Sequence, residues 1–156
     1  MSLVARNSNF LIQAAALLEI PILYTEQYPK GLGRTLPELA ELLSDYPRIE
    51  KTAFSCCDEP SFCRHLTQDR PHIILAGMEA HICILQTALG LKQQDSKRQI
   101  FIAEDAVISR NSSARMNAME RLRHAGVIVS SSESIIFEWL GKAEGDVFKQ
   151  ISRLLR

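Results

Sequence analysis

The sequence predicts an α/β fold: a parallel sheet with helices covering both faces. Short apolar runs alternate with longer amphipathic segments along the 156 residues, the pattern of repeated strand–helix units. Runs such as "IILAG" are apolar without alternation, as strands buried on both sides are. The connections between the later strands are of helix length, and parallel strands need such crossovers. The length suits one core. With no repeat, low-complexity tract or linker, residues 1–156 read as a single domain.

In chain order, apolar residues near helical spacing predict a helix from Val4 to Glu19. A β-rich run from Ile20 to Thr25 predicts the first strand. The stretch "TEQYPKGLGRTLPEL" follows, irregular and rich in Gly and Pro. A short extended run ends at Lys51. Strands are predicted over Pro71–Gly77, Arg98–Asp105 and Gly126–Ser131. Helices are predicted from about Ala80 to Gln93 and from about Ser112 to Ala125. Ser131 and Ser132 read as caps of a helix reaching about Leu140, and a last helix covers about Asp146 to Leu155. Ligands of open parallel sheets bind outside the carboxyl ends of the strands. That rule puts the Gly/Pro-rich loop, Ala76–Gly77 and Glu104–Asp105 on one rim.

The charge balance excludes some functions. Lys plus Arg equals 18 and Asp plus Glu equals 18, so the net charge is zero. Such a chain has no general attraction for nucleic acid or an anionic membrane. The start has polar and charged residues throughout (Arg6, Asn7, Asn9, Gln13, Glu19) and does not read as a signal peptide. No apolar run reaches the ~18 residues of a membrane span. The expected location is the cytoplasm, where the Asn111 glycosylation sequon carries little meaning and the four cysteines are free thiols. Cys56, Cys57 and Cys63 lack the paired C-x-x-C spacing of a zinc site and read as incidental thiols, His65 notwithstanding.

Cys83, in "GMEAHICILQTAL", follows a predicted strand by six residues and stands near the start of a helix. Helix-end amides there favour a thiolate and can hold an oxyanion. Free cysteine is also a common core residue, and position alone leaves both readings open. Lys51 could point into the rim and stabilise an anion; on local sequence a solvated surface lysine is the simpler reading. "PKGLGRT" is not a Walker loop, because its lysine precedes the glycines. It reads as a turn shaping a pocket wall. His81 has no second histidine nearby and reads as structural or solvent-facing.

Taken together, "IPILYTEQYPKGLGRTLPEL", "EKTAFSC", "ILAGMEAHICILQTALGL", "AEDAVISR" and "SSESIIFEWLGKAEGDVFKQISRLL" resemble the isochorismatase-like cysteine hydrolase superfamily, in particular its isochorismatase-domain-containing subgroup. The segments fall in the family's order and cover nearly the whole chain. The resemblance implies a three-layer α/β/α, Rossmann-like fold and hydrolysis of a C–N, amide-like bond in a small molecule through a cysteine thioester. It implies Cys83 as nucleophile with Lys51, a cis peptide between Met78 and Glu79, and an oxyanion hole from the Glu79 and Cys83 amides. Glu26, Tyr28 and Phe54 are expected to line the substrate pocket. Relatives that hydrolyse nicotinamide use an Asp and His cluster after the shared strand; "TEQYPKGLG" has no histidine. The expectation is therefore no metal and no nicotinamidase activity, and no cofactor is expected.

The family's catalytic aspartate belongs to a strand upstream of the helix that begins here near Val4. Between Met1 and Val4 there is neither room for that strand nor an aspartate. The expectation is a domain truncated at its N-terminus, with a gap beside the strand ahead of Cys83; closure of the sheet and filling by another chain stay open. The alternative function is then a catalytically silent oligomeric or partner-binding member. The expected partners are a small-molecule substrate and further copies of the chain; Phe137 and Trp139 are candidate interface residues, though packing of both on the sheet is the simpler reading. Ribonuclease activity, a label attached to some relatives, fits poorly with zero net charge.

Overall fold

The computed structural model describes residues 2–155. Helix α1 spans Leu3–Leu17 and opens at Ser2, whose hydroxyl accepts the Ala5 N–H. It buries Ala5, Asn7, Leu11, Ala14 and Ala15 on one face. Its end corrects the expected strand start. Glu19 takes a left-handed φ of 55°. Its N–H donates to Ala16 O, and Ile20 N–H donates to Ala15 O. This Schellman closure holds Ile20 at the helix end, and Pro21 has no N–H for a ladder. Strand β1 therefore begins later, at Tyr24–Gln27.

The Gly/Pro-rich stretch folds into two single helical turns, α2 (Pro29–Leu32) and α3 (Pro37–Ala40), each with proline in its first turn. Strand β2 (Arg48–Lys51) runs parallel to β1. A 3₁₀ turn (Cys56–Asp58) and α4 (Pro60–Cys63) lead to β3 (His72–Met78). A π turn (Ala80–Ile84) runs into α5 (Leu85–Gln94). Then come β4 (Gln99–Ile108), α6 (Ser112–His124), β5 (Ile128–Ser130), α7 (Ser132–Leu140) and α8 (Gly145–Leu154). Asn111 caps α6 and Ser131 caps α7 through their side-chain oxygens.

All strand pairings are parallel, in two ladders: β1–β2 and β3–β4–β5. Among the described residues no ladder joins β1 to β3. Helices cover both faces and so make three layers. One core holds Ile84, Leu85, Leu91, Ile100, Ile102 and Leu122, beneath α5 and α6. The other holds Leu11, Ala14, Ala103, Ala106, Ile135, Ile136 and Ile151, beneath α1, α7 and α8. Each fully buried Leu or Ile contributes roughly 1.5–3 kcal/mol of apolar transfer. Trp139 packs on the second core, while Phe137 stays exposed.

Glu104 and Asp105 do not lie on the rim, because β4 continues to Ile108. The β3–β4 register shifts there: Leu75 faces Ile102, but Gly77 faces Val107. The resulting bulge turns Asp105 toward the helices. Its carboxylate accepts Ser132 N–H (2.7 Å), Ser132 Oγ–H (2.7 Å) and Asn7 Nδ2–H (3.2 Å), and its carbonyl accepts Asn7 Nδ2–H (2.9 Å). One residue thus ties α1 and the start of α7 to the middle strand. Asp105→Ala should lower the unfolding free energy by about 2–3 kcal/mol, and Asp105→Asn by less, as read from urea denaturation midpoints at constant m.

Candidate functional site

Four strand ends converge on the side where Cys83 lies. The β1–β2 register places Gln27 directly opposite Lys51, so their side chains share a face. Lys51 is only 5% exposed. Its ammonium donates to Gln27 Oε1, to Ala53 O (2.8 Å) and to Phe54 O (3.0 Å), which uses all three protons. A buried charge needs such partners, and the chain after β2 curls to supply them. This overturns the solvated-surface reading of Lys51. Gln27 Nε2 donates to Thr52 O (2.7 Å). With the nitrogen held there and the lysine on the oxygen, the orientation of the Gln27 amide is determined from both ends.

Beyond β3 the chain turns at Gly77, whose φ of 117° excludes side chains other than hydrogen. The Met78–Glu79 peptide bond is cis. Ile82 and Ile84 N–H both donate to Glu79 O, giving the wide pitch of the π turn that carries Cys83. Cys83 is half-buried. Among the described residues the one hydrogen-bond partner of its Sγ is Gln27 Oε1, at 3.9 Å. Cys83, Gln27 and Lys51 therefore share one oxygen, although β1 and β3 belong to separate ladders.

Glu79 faces the exit of β4. Its carboxylate accepts Arg110 N–H (2.9 Å) and pairs with Arg110 Nε (3.7 Å) and His81 Nδ1 (3.5 Å). His81 Nδ1 also meets Ser109 Oγ at 2.9 Å, and Ser109 Oγ accepts the His81 N–H. His81 is thus a fastening of the turn, in keeping with the structural reading.

The expected pocket residues separate. Glu26 points to the opposite face of β1 from Gln27. Its Oε1 accepts both the N–H (2.9 Å) and the hydroxyl (2.8 Å) of Thr35, and its buried Oε2 lies 3.9 Å from Arg48. Glu26 anchors the loop that follows β1 through Thr35. Tyr28 (53% exposed) and Phe54 (55%) stand on the rim, joined by Met78 (65%). A Cβ at Gly31 would lie 2.2 Å from the Tyr28 ring, so a side chain there would displace that exposed ring. The remaining thiols are structural. Cys56 N–H donates to Thr87 Oγ1, Cys57 Sγ to Thr87 O, and Cys63 Sγ to Cys57 O. Burial pushes the Cys57 thiol up, against the opposing Ser55 hydrogen bond. Among the described residues no three His, Cys, Asp or Glu side chains group as metal ligands. Sequence reasoning missed Gln27 and Ser109; only the parallel register puts Gln27 beside Lys51.

A three-layer α/β domain of parallel strands flanked by helices is the architecture of isochorismatase-type proteins. The comparisons agree: residues 1–134 match the Isochorismatase domain family, and the chain belongs to that family. It is 41% identical over 150 residues to isochorismatase domain-containing protein 2 of Bos taurus, covering 94% of this chain and 70% of that one. The structure of MAR1 ribonuclease from Caenorhabditis elegans superposes with a TM-score of 0.86 at 37% identity, covering 97% of this chain and 78% of that one. The ycaC gene product of Escherichia coli, an octameric hydrolase of unknown specificity, shares the fold at a TM-score of 0.90 and 21% identity, with 98% and 75% covered.

Burial raises the Glu26 carboxyl, but the two Thr35 donors, with Arg48 and Arg34, outweigh it and hold its pKa below the usual carboxylate range. A lowered folded-state pKa gives stability that is full above the unfolded value, about 4.3. That stability is lost as pH falls from there through the folded value. Acid unfolding of the wild-type chain should therefore steepen below about pH 4.3, and Glu26→Gln should flatten that segment of a urea-midpoint-versus-pH curve.

Proposed function

We propose that this chain is a cysteine hydrolase that cleaves a C–N, amide-like bond of a small molecule, with Cys83 as nucleophile. The observation that carries the reading is the meeting of the half-buried Cys83 thiol with the Gln27–Lys51 pair at the strand ends. The Cys83 sulfur attacks the carbonyl carbon and a C–S bond forms. The oxygen gains negative charge and is held by the Glu79 and Cys83 N–H groups. The C–N bond breaks, the amine leaves with a proton, and water hydrolyses the thioester to the acid and free thiol. Lys51 supplies fixed positive charge beside this exchange.

A second reading is a catalytically silent, oligomeric or partner-binding member. It is favoured by one observation: the hydrogen-bond partner of Cys83 is an amide, which accepts a hydrogen bond but does not take a proton near neutral pH. For either reading we infer a homo-oligomer in the cytoplasm. The octameric E. coli relative supports assembly, and among the described residues no helix is long and apolar enough to cross a membrane. Ribonuclease action, the description of the C. elegans relative, is disfavoured by the balance of 18 basic and 18 acidic residues.

The test is ammonia or amine release from a panel of small primary and secondary amides. The hydrolase reading expects turnover by the wild-type chain and a loss of about 10⁴-fold or more in Cys83→Ser. No release from any amide leaves the silent reading standing. Retention on an RNA column at physiological salt would restore the ribonuclease reading.

A further inference from the structure

We propose that Thr87 is a positioning residue: it straps the curl that holds the Lys51 ammonium to helix α5, and so fixes that ammonium beside the Cys83 sulfur. The proposal rests on the hydrolase reading and deepens it, because it names what keeps the lysine's charge at the nucleophile.

Lys51 and Cys83 belong to different halves of the sheet. Lys51 ends β2 in the β1–β2 ladder, and Cys83 follows β3 in the other. Among the described residues no ladder joins the two. Their shared contact, Gln27 Oε1, lies 3.9 Å from the Cys83 sulfur, a long hold for a hydrogen bond. Apolar packing of Ile49 and Phe62 also joins the halves, but such packing is non-directional. A directional link between α5 and the curl fixes their relative position, and Thr87 supplies it.

Thr87 stands four residues beyond Cys83, about one turn along the same helical segment. It is 2% exposed, so it acts through its neighbours and not on a ligand. Its Oγ1 accepts the Cys56 N–H at 2.9 Å, and its carbonyl accepts from Cys57 Sγ at 3.6 Å. Gly90, further along α5, permits this close approach: a Cβ there would lie 2.9 Å from Cys57 Sγ and 3.2 Å from Cys57 Cβ. The strapped residues come just after the two carbonyls that hold Lys51, those of Ala53 and Phe54. Ser55, also buried, joins them to the strap, its Oγ accepting the Cys57 N–H at 3.2 Å. The other end of the curl is held by Gln27 Nε2 on Thr52 O (2.7 Å). The two carbonyls of the lysine thus hang between β1 and α5, and the α5 end rests on the hydroxyl and carbonyl of Thr87.

Alkylation of Cys83 reads where the Lys51 charge lies. Iodoacetate and iodoacetamide are close in size, and each forms an S–C bond and releases iodide, with the thiol proton passing to buffer. The anionic reagent alone gains from a fixed cation beside the sulfur. Rates at Cys83 in the purified chain are read by peptide mass mapping, and each is divided by that reagent's rate with glutathione. The quantity of interest is the iodoacetate-to-iodoacetamide ratio. Lys51→Gln should lower it about tenfold, the effect of one charge a few ångström away. Thr87→Val keeps the shape, removes the acceptor and should lower the ratio about threefold. Thr87→Ser keeps the acceptor and should keep the wild-type ratio. Adding Thr87→Val to Lys51→Gln should lower it no further. A general loosening of the fold raises both rates alike and leaves the ratio unchanged, so a merely structural Thr87 is told apart. If Thr87→Val does not fold, all four cysteines react at the glutathione rate and Cys57→Ala carries the test. That variant removes only the sulfur contact and should lower the ratio about twofold. The proposal is overturned if Thr87→Val, or Cys57→Ala in its place, keeps the wild-type ratio. It is equally overturned if Thr87→Ser loses the ratio as fully as Thr87→Val, or if the double variant falls below Lys51→Gln. The ratio needs no turnover and the amide panel reads the hydrolase assignment separately, so failure of one is distinguished from failure of the other.

Discussion

The burial of one ammonium group organises the functional end of this molecule. A lysine taken out of water without partners would cost several kcal/mol. Lys51 is kept at 5% exposure by three oxygens. Two are backbone carbonyls, so residues after β2 must curl back over its head. The third is the Gln27 amide, so β1 must pair with β2 in a register that puts Gln27 opposite Lys51. The curl turns Phe54 outward, and the Gln27 oxygen is left facing Cys83.

The other polar groups near the strand ends serve the architecture in the same way. Glu26 holds the loop through Thr35. Glu79, Arg110, His81 and Ser109 fasten the turn after β3 to the exit of β4. Asp105, one layer below, ties the helices to the bulge that aligns that exit.

The chain is a hydrolase of the isochorismatase family, and the mechanism we propose for it is acyl transfer at Cys83. The partner of that thiol sharpens the chemical question. Gln27 can orient Cys83 and Lys51 on one oxygen, yet an amide is no general base. Turnover therefore depends on where the thiol proton goes.

Periodicity made most of the fold legible. The helices starting at Leu3, Ser112, Ser132 and Gly145, and the strands around Ile74, Ile102 and Val129, follow from apolar spacing and caps. The motif around Cys83 and the lysine in "EKTAFS" were legible as residue types in a pattern. Three things were not. The Schellman closure at Glu19 and Ile20 moved the first strand, and the bulge carried β4 past Asp105 to Ile108. Gln27 became part of the site only through its register with Lys51. Local sequence determined which segments are helix or strand, because hydrophobic period and capping act within a few residues. Tertiary structure alone decided that Lys51 is buried, that Glu26 holds a loop and that Gln27 meets Cys83. Desolvation and strand register couple residues far apart in the chain, and no local pattern encodes them.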